Sequence, residues 1–272
     1  MQIKLSLTVF VTTLVLATSK KTGGSKKCKD VDPGDVQVVS VAVNDPYDLN
    51  TVVALFQGIL GGAINGGGPA EDPYGQRRIT WDGRALPFYM PSNFFANGFV
   101  DRGLTVVSKT NKFVVSNPSD GSDYLFDSIN PEASKDFTAF SAPRLFAALD
   151  DTEIELLFSV PGTNGAKKGF ISGFGAVLVD VDLESTTEII MKDSDGCEIA
   201  SGFVEPNPGG FSFLGLKVDD KVVSTVEMYL GTEELDGEES DSFTRDRALK
   251  KGKKDIVVMD DFLYDEPTYF KW

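Results

Sequence analysis

The chain has 272 residues, of which 41% are hydrophobic and 11% aromatic, so it can fill a substantial core. Its formal net charge of -15 at pH 7 argues against a nucleic-acid partner, because phosphate binding requires an excess of Lys and Arg. The absence of His excludes His-activated nucleophiles and His-ligated metals. Carboxylates, Lys, Tyr or a bound hard cation remain for any chemistry.

The N-terminal residues predict a secreted protein. Residues 1–19 combine Lys4 near the start with an apolar run and small residues at Ala17 and Ser19. This is the pattern of a secretory signal peptide that is cleaved after Ala17 or Ser19. The apolar run is shorter than the roughly 20 residues that a membrane-spanning helix needs. No other segment is apolar enough to cross a membrane, so we expect no membrane span after cleavage.

The residues that follow predict a leader and a single domain. Residues 20–35 are rich in Lys, Gly and Ser, which is typical of a flexible segment. Residues 36–272 then predict one β-sandwich domain. The two cysteines, Cys28 and Cys197, form one disulfide in an oxidising compartment or remain free thiols.

The first part of the domain predicts a strand and then an amphipathic helix. Residues 36–43 alternate enough apolar side chains for a strand. Asp48 is the predicted N-cap of the helix, and Gly61 is available to end it. The apolar residues on one face of this helix are Leu49, Val52, Val53, Phe56, Ile59 and Leu60.

A glycine-rich loop, a short strand and a hairpin are predicted next. The loop at 61–73 matches neither a P-loop nor a dinucleotide fingerprint. Residues 78–81 predict a short strand. Residues 104–109 and 112–116 predict a hairpin around Thr110 and Asn111.

The second half of the chain predicts a succession of strands. Asp193 to Gly196 is a strong turn signal between two of them, and the acidic segment at 231–254 predicts a surface loop. The predicted strands lie at 141–146, 152–160, within 159–184, and at 187–192, 197–204, 211–216, 222–230 and 255–264. Together these elements predict an all-β fold, a two-sheet antiparallel β-sandwich with jelly-roll-like topology and one short amphipathic helix near the N-terminus.

Aromatic residues are concentrated in the segment at 86–97. Tyr89, Phe94 and Phe95 have ring faces that suit the apolar faces of sugar rings, so they are candidate glycan-binding residues. The alternative is that these rings fill the core beneath a loop.

Several ordered motifs resemble those of secreted bacterial β-sandwich domains of the type found in proteins with a PEP-CTERM sorting tail. The resemblance covers about residues 48–267 and implies a jelly-roll-like extracytoplasmic domain without assigned catalytic residues. The motifs are Gly-Gln-Arg-Arg-Ile-Thr-Trp-Asp-Gly at 75–83, Val-Pro-Gly-Thr-Asn-Gly at 160–165, Ser-Gly-Phe-Gly-Ala-Val at 172–177 with Asp180 and Asp182, Phe-Ser-Phe-Leu-Gly at 211–215 and Asp-Ile-Val-Val-Met-Asp-Asp-Phe-Leu-Tyr at 255–264.

Asp180, Asp182 and Glu184 alternate along one predicted strand, which places the three carboxylates on one face. The arrangement resembles the Glu-x-Asp-x-Glu strand of laminarinase-like glycoside hydrolases, with Asp180 in place of the first Glu. The resemblance implies a carboxylate-based hydrolase. A retaining pair needs carboxyl groups about 5–5.5 Å apart, so the strand would have to bend or the side chains converge. The alternative is that these carboxylates are solvated at a strand end.

Calcium is the cofactor that the acidic residues suggest, because it binds several carboxylate and carbonyl oxygens. The candidate ligands are Asp180, Asp182, Asp260 and Asp261.

The sequence as a whole leads to two alternative functions. The first is a secreted noncatalytic binding or structural protein, whose partners are glycans or other surface or matrix components. The second is a glycoside hydrolase of the laminarinase-like jelly-roll type.

Overall fold

The protein is mostly β, with two antiparallel sheets that form a sandwich, which confirms the predicted fold class. The computed structural model describes residues 10–13, 28, 35–68, 72–83, 98–116, 125–236 and 254–269, with 10–13 described as backbone alone. Within these ranges, no helix has the length and apolar character needed to cross a membrane.

Within the described ranges, the elements are strands together with one α-helix and two short 3₁₀ helices. The 3₁₀ helices lie at Val100–Arg102 and Ala133–Asp136. In chain order the others are β1 (Phe10–Thr13), β2 (Gln37–Val43), α1 (Pro46–Leu60), β3 (Gln76–Ile79), β4 (Leu104–Ser108), β5 (Phe113–Val115), β6 (Phe146–Ala148), β7 (Glu153–Phe158), β8 (Gly173–Val181), β9 (Glu188–Lys192), β10 (Glu198–Phe203), β11 (Asn207–Lys217), β12 (Thr225–Tyr229) and β13 (Val258–Asp265).

The larger sheet has the strand order β1-β2-β11-β8-β13-β6-β5, with β3 also paired to β13. The smaller sheet has the order β10-β9-β12-β7-β4. Strand β1 lies within the predicted signal peptide, so cleavage after Ala17 or Ser19 would leave seven strands in the larger sheet.

Two apolar layers hold the sandwich together. The first lies between the sheets and includes Ile154, Leu156 and Phe158, which share one face of β7. The second lies between the larger sheet and α1. There Phe56 of α1 packs over two glycines that pair across β8 and β11, Gly175 and Gly215. A Cβ atom at either glycine would lie within 2.7 Å of the Phe56 ring, so these positions allow the helix to approach the sheet.

The predicted helix is present, but its N-cap is Asp45 and not Asp48. The Asp45 carboxylate accepts a hydrogen bond from the backbone N–H of Tyr47 at 2.8 Å, and Asp48 lies in the first turn. Pro46 has a fixed φ that suits the first helical position, so the helix begins there. Gly61 ends the helix as predicted, with φ of 84°.

The predicted hairpin at 104–116 is wrong. Strand β4 pairs with β7 in the smaller sheet, whereas β5 pairs with β6 in the larger sheet. The turn at Asn111, with φ of 53°, therefore carries the chain from one sheet to the other. The apolar pattern of the sequence does not distinguish a hairpin from a connection between two sheets, because β4 and β5 both bury side chains in the core between the sheets.

In the second half of the chain, one predicted hairpin is confirmed and one predicted strand lies at other residues. The hairpin of β9 and β10 is confirmed, and the Asp193 carboxylate accepts hydrogen bonds from the N–H groups of Asp195 and Cys197 in its turn. The strand predicted at 141–146 instead occupies Phe146–Ala148.

Cys28 and Cys197 form a disulfide, with Cα atoms 5.7 Å apart. The bridge attaches the N-terminal segment to the turn between β9 and β10. Disulfides persist in oxidising compartments, so the bridge indicates an extracytoplasmic protein.

Candidate functional site

The residues predicted to bind ligands fall into three groups. Tyr89, Phe94 and Phe95 lie outside the described residues, so their glycan-binding role stays a prediction. The other two groups are the acidic residues at the end of β8 and the aspartate pair in β13.

Asp180, Asp182 and Glu184 do not share one strand face, contrary to the prediction. Strand β8 ends at Val181, and Glu184 lies exposed in the turn that follows. Asp180 has φ of 63°, which interrupts the alternation of side chains at the strand end. It accepts a hydrogen bond from the N–H of Gly209 at 2.8 Å, while burial raises the pKa of its carboxyl to about 6.

Asp260 and Asp261 are fully buried at an irregularity of β13, where the register with β8 shifts. The Asp260 carboxylate accepts hydrogen bonds from the N–H groups of Phe140 and Ser141, at 2.7 and 3.1 Å. Asp261 forms an ion pair with Arg78. Burial, followed by the charge of Asp261, raises the pKa of Asp260 well above its usual value. Hydrogen bonds to these two aspartates therefore hold the segment at Phe140 and Ser141 against the larger sheet.

The two aspartate pairs lie apart, so the structure does not assemble the four predicted calcium ligands. Val179 of β8 pairs with Val258, and Ala176 pairs with Phe262, which leaves Asp260 and Asp261 several residues along the sheet from Asp180. A calcium role for either pair stays a prediction.

A different set of three carboxylates converges in the described part of the chain. Oxygens of Asp150, Glu234 and Asp236 lie within 4.8 Å of one another. Lys112 forms an ion pair with Asp150 in this set, so the protein already supplies a positive charge there.

The smaller sheet carries a further set of polar and aromatic side chains on the side away from the sandwich core. We call the side chains of this sheet that point away from the core the outer face. Register aligns them in three rows. The rows are Glu153, Tyr229, Glu188 and Phe203; Val107, Glu155, Glu227, Ile190 and Ser201; and Thr105, Leu157, Thr225 and Lys192.

The first row alternates carboxylates with aromatic rings. Glu153 lies opposite Tyr229, Tyr229 opposite Glu188, and Glu188 opposite Phe203. Neighbouring strands are about 4.8 Å apart, so the two aromatic residues lie about 10 Å from each other across the sheet. Phe203 is 43% exposed, and Leu157 in the third row is 37% exposed. Glu188, Glu227 and Ile190 on the same face are buried. The outer face is therefore only partly open, and its exposed apolar surface lies at Phe203 and Leu157.

Two glutamates at the middle of the outer face share a hydrogen bond. The Glu227 side chain is buried and forms an ion pair with Lys192. Burial, followed by the hydrogen bond and the charge of Glu227, raises the pKa of Glu153 to about 7. Near neutral pH, Glu153 is therefore present in both its protonated and its ionised form.

A cleft of about 290 Å³ lies beside Glu153, over the end of β4 and the start of β7, which are paired neighbours in the sheet. Carboxylates, an ammonium group, a hydroxyl and an aliphatic side chain surround it, so one ligand can find both hydrogen-bond partners and apolar contact. Its lining residues are Val107, Ser108, Lys109, Asp151, Glu153 and Glu155.

Sequence reasoning missed the outer face for an identifiable reason. Along β7, Ile154, Leu156 and Phe158 alternate with Glu153 and Glu155, so the two glutamates lie on the face opposite the core. The glutamate pair depends on β7 and β12 being neighbours, although about 70 residues separate them in the chain, and alternation does not reveal that pairing.

Comparisons with known proteins assign the chain to no family. No protein-family model matches it, and neither does any curated protein. Among solved structures, it is similar to the enzymatically active domain of tailspike protein 4 of bacteriophage CBA120, with 10% sequence identity and a TM-score of 0.22. The match covers 74% of this chain and 22% of the tailspike chain. A similarity at this level carries no argument about function.

Proposed function

We propose that this protein is a secreted, noncatalytic binding module that holds glycans on the outer face of its smaller sheet. The observation that carries the proposal is the row of Glu153, Tyr229, Glu188 and Phe203 beside a cleft. Glu188 is buried, so the groups of this row that a ligand can reach are Phe203 and the partly exposed Glu153 and Tyr229.

The chemistry of this row suits a sugar chain. The apolar faces of sugar rings pack against aromatic side chains, while their hydroxyl groups donate hydrogen bonds to carboxylates. The spacing of Tyr229 and Phe203, about 10 Å, is comparable to the length of two linked sugar rings. Binding sites of this kind combine apolar surface with a few placed polar groups, as the cleft does.

A location outside the cytoplasm supports this function. The disulfide between Cys28 and Cys197 fits an oxidising environment, and residues 1–19 have the pattern of a signal peptide. The resemblance of the chain to secreted bacterial β-sandwich domains points the same way. Glycans of a cell surface or matrix are the partners available there. The aromatic segment with Tyr89, Phe94 and Phe95 remains a second candidate contact for them.

A glycoside hydrolase is the second candidate, and the pKa of about 7 at Glu153 favours it. A carboxyl group that is protonated near neutral pH can act as a general acid. Glu155 lies two residues along the same strand, so the Cα atoms of the two glutamates are about 6.6 Å apart. An inverting enzyme needs its two carboxyl groups about 6.5–9.5 Å apart. In this alternative the catalytic pair is Glu153 and Glu155 rather than Asp180, Asp182 or Glu184.

Glycan-array binding combined with a reducing-sugar assay separates the two candidates. A binding module retains glycans without releasing reducing ends, whereas a hydrolase releases them and loses this activity in Glu153→Gln. We expect binding without release. We also expect Tyr229→Ala and Phe203→Ala each to weaken binding about tenfold or more, which corresponds to an aromatic contact of about 1.4 kcal/mol.

Tyr74→Ala is the matched control for the aromatic variants. Tyr74 is 74% exposed and lies next to β3 of the larger sheet, away from the outer face. Its removal is expected to leave glycan binding unchanged. Equal losses in Tyr74→Ala and Tyr229→Ala would contradict the proposed binding surface.

A further inference from the structure

We propose that a neutral glycan in the cleft binds together with a proton on Glu153, so that the outer face holds its ligand more tightly at mildly acidic pH than at alkaline pH. This inference rests on the proposed glycan-binding function and adds a regulatory property to the same site.

Glu153 lies among charged groups from every neighbouring strand. Asp151 precedes it, and Glu155 is the next residue on the same face of β7. Glu227 of β12 is its hydrogen-bonded partner, and Lys109, which follows β4, lines the same cleft. Carboxylates therefore outnumber ammonium groups around this position.

The positive charge nearest to the pair belongs to Lys192 of β9. Its ammonium group forms an ion pair with Glu227, so it mainly offsets the charge of Glu227. Lys192 does favour the ionised form of Glu153, but this is the weakest of the influences on that carboxyl group. An ionised Glu153 therefore depends largely on water in the cleft for its stabilisation.

A neutral ligand removes that water. Loss of hydration disfavours a charged carboxylate, whereas the protonated carboxyl group keeps its hydrogen bond to Glu227. Occupation of the cleft by a sugar chain therefore raises the pKa of Glu153 above its value in the free protein. Binding then takes up a proton, and by linkage the affinity falls as pH rises through the pKa of the free protein.

Calorimetric titration with neutral hexasaccharides tests this coupling on the full, disulfide-bonded protein. The probes are laminarihexaose, cellohexaose and the hexamer of N-acetylglucosamine. If occupation raises the Glu153 pKa by about one unit, the affinity falls about fivefold between about pH 6 and about pH 8. Titrations in buffers with different ionisation enthalpies should reveal uptake of a fraction of a proton near neutral pH.

Glu153→Gln is the informative variant because glutamine keeps the size and hydrogen bonding of a protonated carboxyl group. We expect its affinity to be the same at both pH values and its proton uptake to disappear. Glu132→Gln is the control for loss of one negative charge, since Glu132 is exposed and lies next to the 3₁₀ helix Ala133–Asp136. It should keep the fivefold dependence of the unmodified protein.

The outcomes distinguish this inference from the proposed function. If a probe binds with an affinity independent of pH, or if Glu153→Gln keeps the pH dependence, the coupling is wrong and glycan binding stands. If none of the probes binds at mildly acidic pH, both ideas fail together. A rise of affinity with pH would also overturn the coupling, because it would mean that the ligand favours the ionised form of Glu153.

Discussion

The protein contains two pairs of neighbouring carboxyl groups whose surroundings differ. Asp260 and Asp261 of β13 lie buried beneath the segment at Phe140 and Ser141. Asp260 accepts hydrogen bonds from backbone N–H groups of that segment, and Asp261 forms an ion pair with Arg78. Glu153 and Glu227 lie on the outer face, and one side of this pair opens into a cleft.

This difference separates a structural use of buried acid from a functional one. In both pairs burial is the largest cause of a raised pKa, at Asp260 and at Glu153. A raised pKa alone therefore does not identify a site. What distinguishes the glutamate pair is access, because a ligand can reach Glu153 but not Asp260, which is fully buried.

The largest expected effect is the loss of the enclosed pair. Asp260→Ala removes the acceptor of two part-buried backbone N–H groups and one of the acceptors of the Ser141 hydroxyl, and it leaves Asp261 without its neighbouring carboxyl group. We expect the free energy of unfolding to fall by about 3–5 kcal/mol. Chemical denaturation followed by fluorescence measures this change.

Asp260→Asn is the matched variant for this comparison. Its side-chain oxygen still accepts hydrogen bonds, and its NH₂ group replaces the proton between the two carboxyl groups. We expect it to cost less than about 1.5 kcal/mol. If the asparagine variant is as unstable as the alanine variant, then the negative charge of Asp260 is required and the interpretation of a protonated pair is wrong.

An intermediate effect is expected at the open pair. The pKa of Glu153 is raised to about 7 from the ordinary value of 4.5. A raised carboxyl pKa stabilises the folded protein at pH values below the ordinary pKa, and this contribution disappears as pH rises to about 7. Glu153→Gln should therefore be more stable than the unmodified protein above that pH, by less than about 1 kcal/mol because the position is partly solvated.

Thermal unfolding across pH measures this effect. The unmodified protein should lose stability relative to Glu153→Gln between the two pKa values, and the difference should stay constant at higher pH. If Glu153→Gln is less stable than the unmodified protein at alkaline pH, the ionised Glu153 is stabilised by its surroundings. That result would contradict a raised pKa of Glu153.

Much of the fold follows from local patterns in the sequence. Alternating side chains located β7, the apolar and aromatic residues of 255–264 located β13, and the Asp-Gly turn located the hairpin of β9 and β10. Gly61 marked the end of α1. These features depend on residues close in the chain, so a single sequence contains them.

The features that the sequence did not reveal depend on distant partners. The turn at Asn111 looks like a hairpin, but the partners of β4 and β5 decide that it joins two sheets. Likewise, four aspartates look like one calcium site until register separates Asp180 from Asp260. The outer face requires the order of all five strands of the smaller sheet, which no local pattern contains.

The smallest expected effect on stability concerns Leu157, an apolar residue on the outer face. It is 37% exposed, whereas its neighbour Leu156 is fully buried between the sheets. Leu157→Ala should change the free energy of unfolding by less than about 0.5 kcal/mol, because the side chain keeps much of its contact with water in the folded protein.

Leu156→Ala on the same strand is the control, with an expected loss of about 2–5 kcal/mol from the cavity it leaves. The two variants together test whether the outer face is an open surface. If Leu157→Ala is as destabilising as Leu156→Ala, the outer face is covered in the folded protein and a glycan cannot reach it. If Leu157→Ala is harmless to folding but weakens glycan binding, this exposed leucine contributes apolar contact to the ligand, as the proposed binding surface requires.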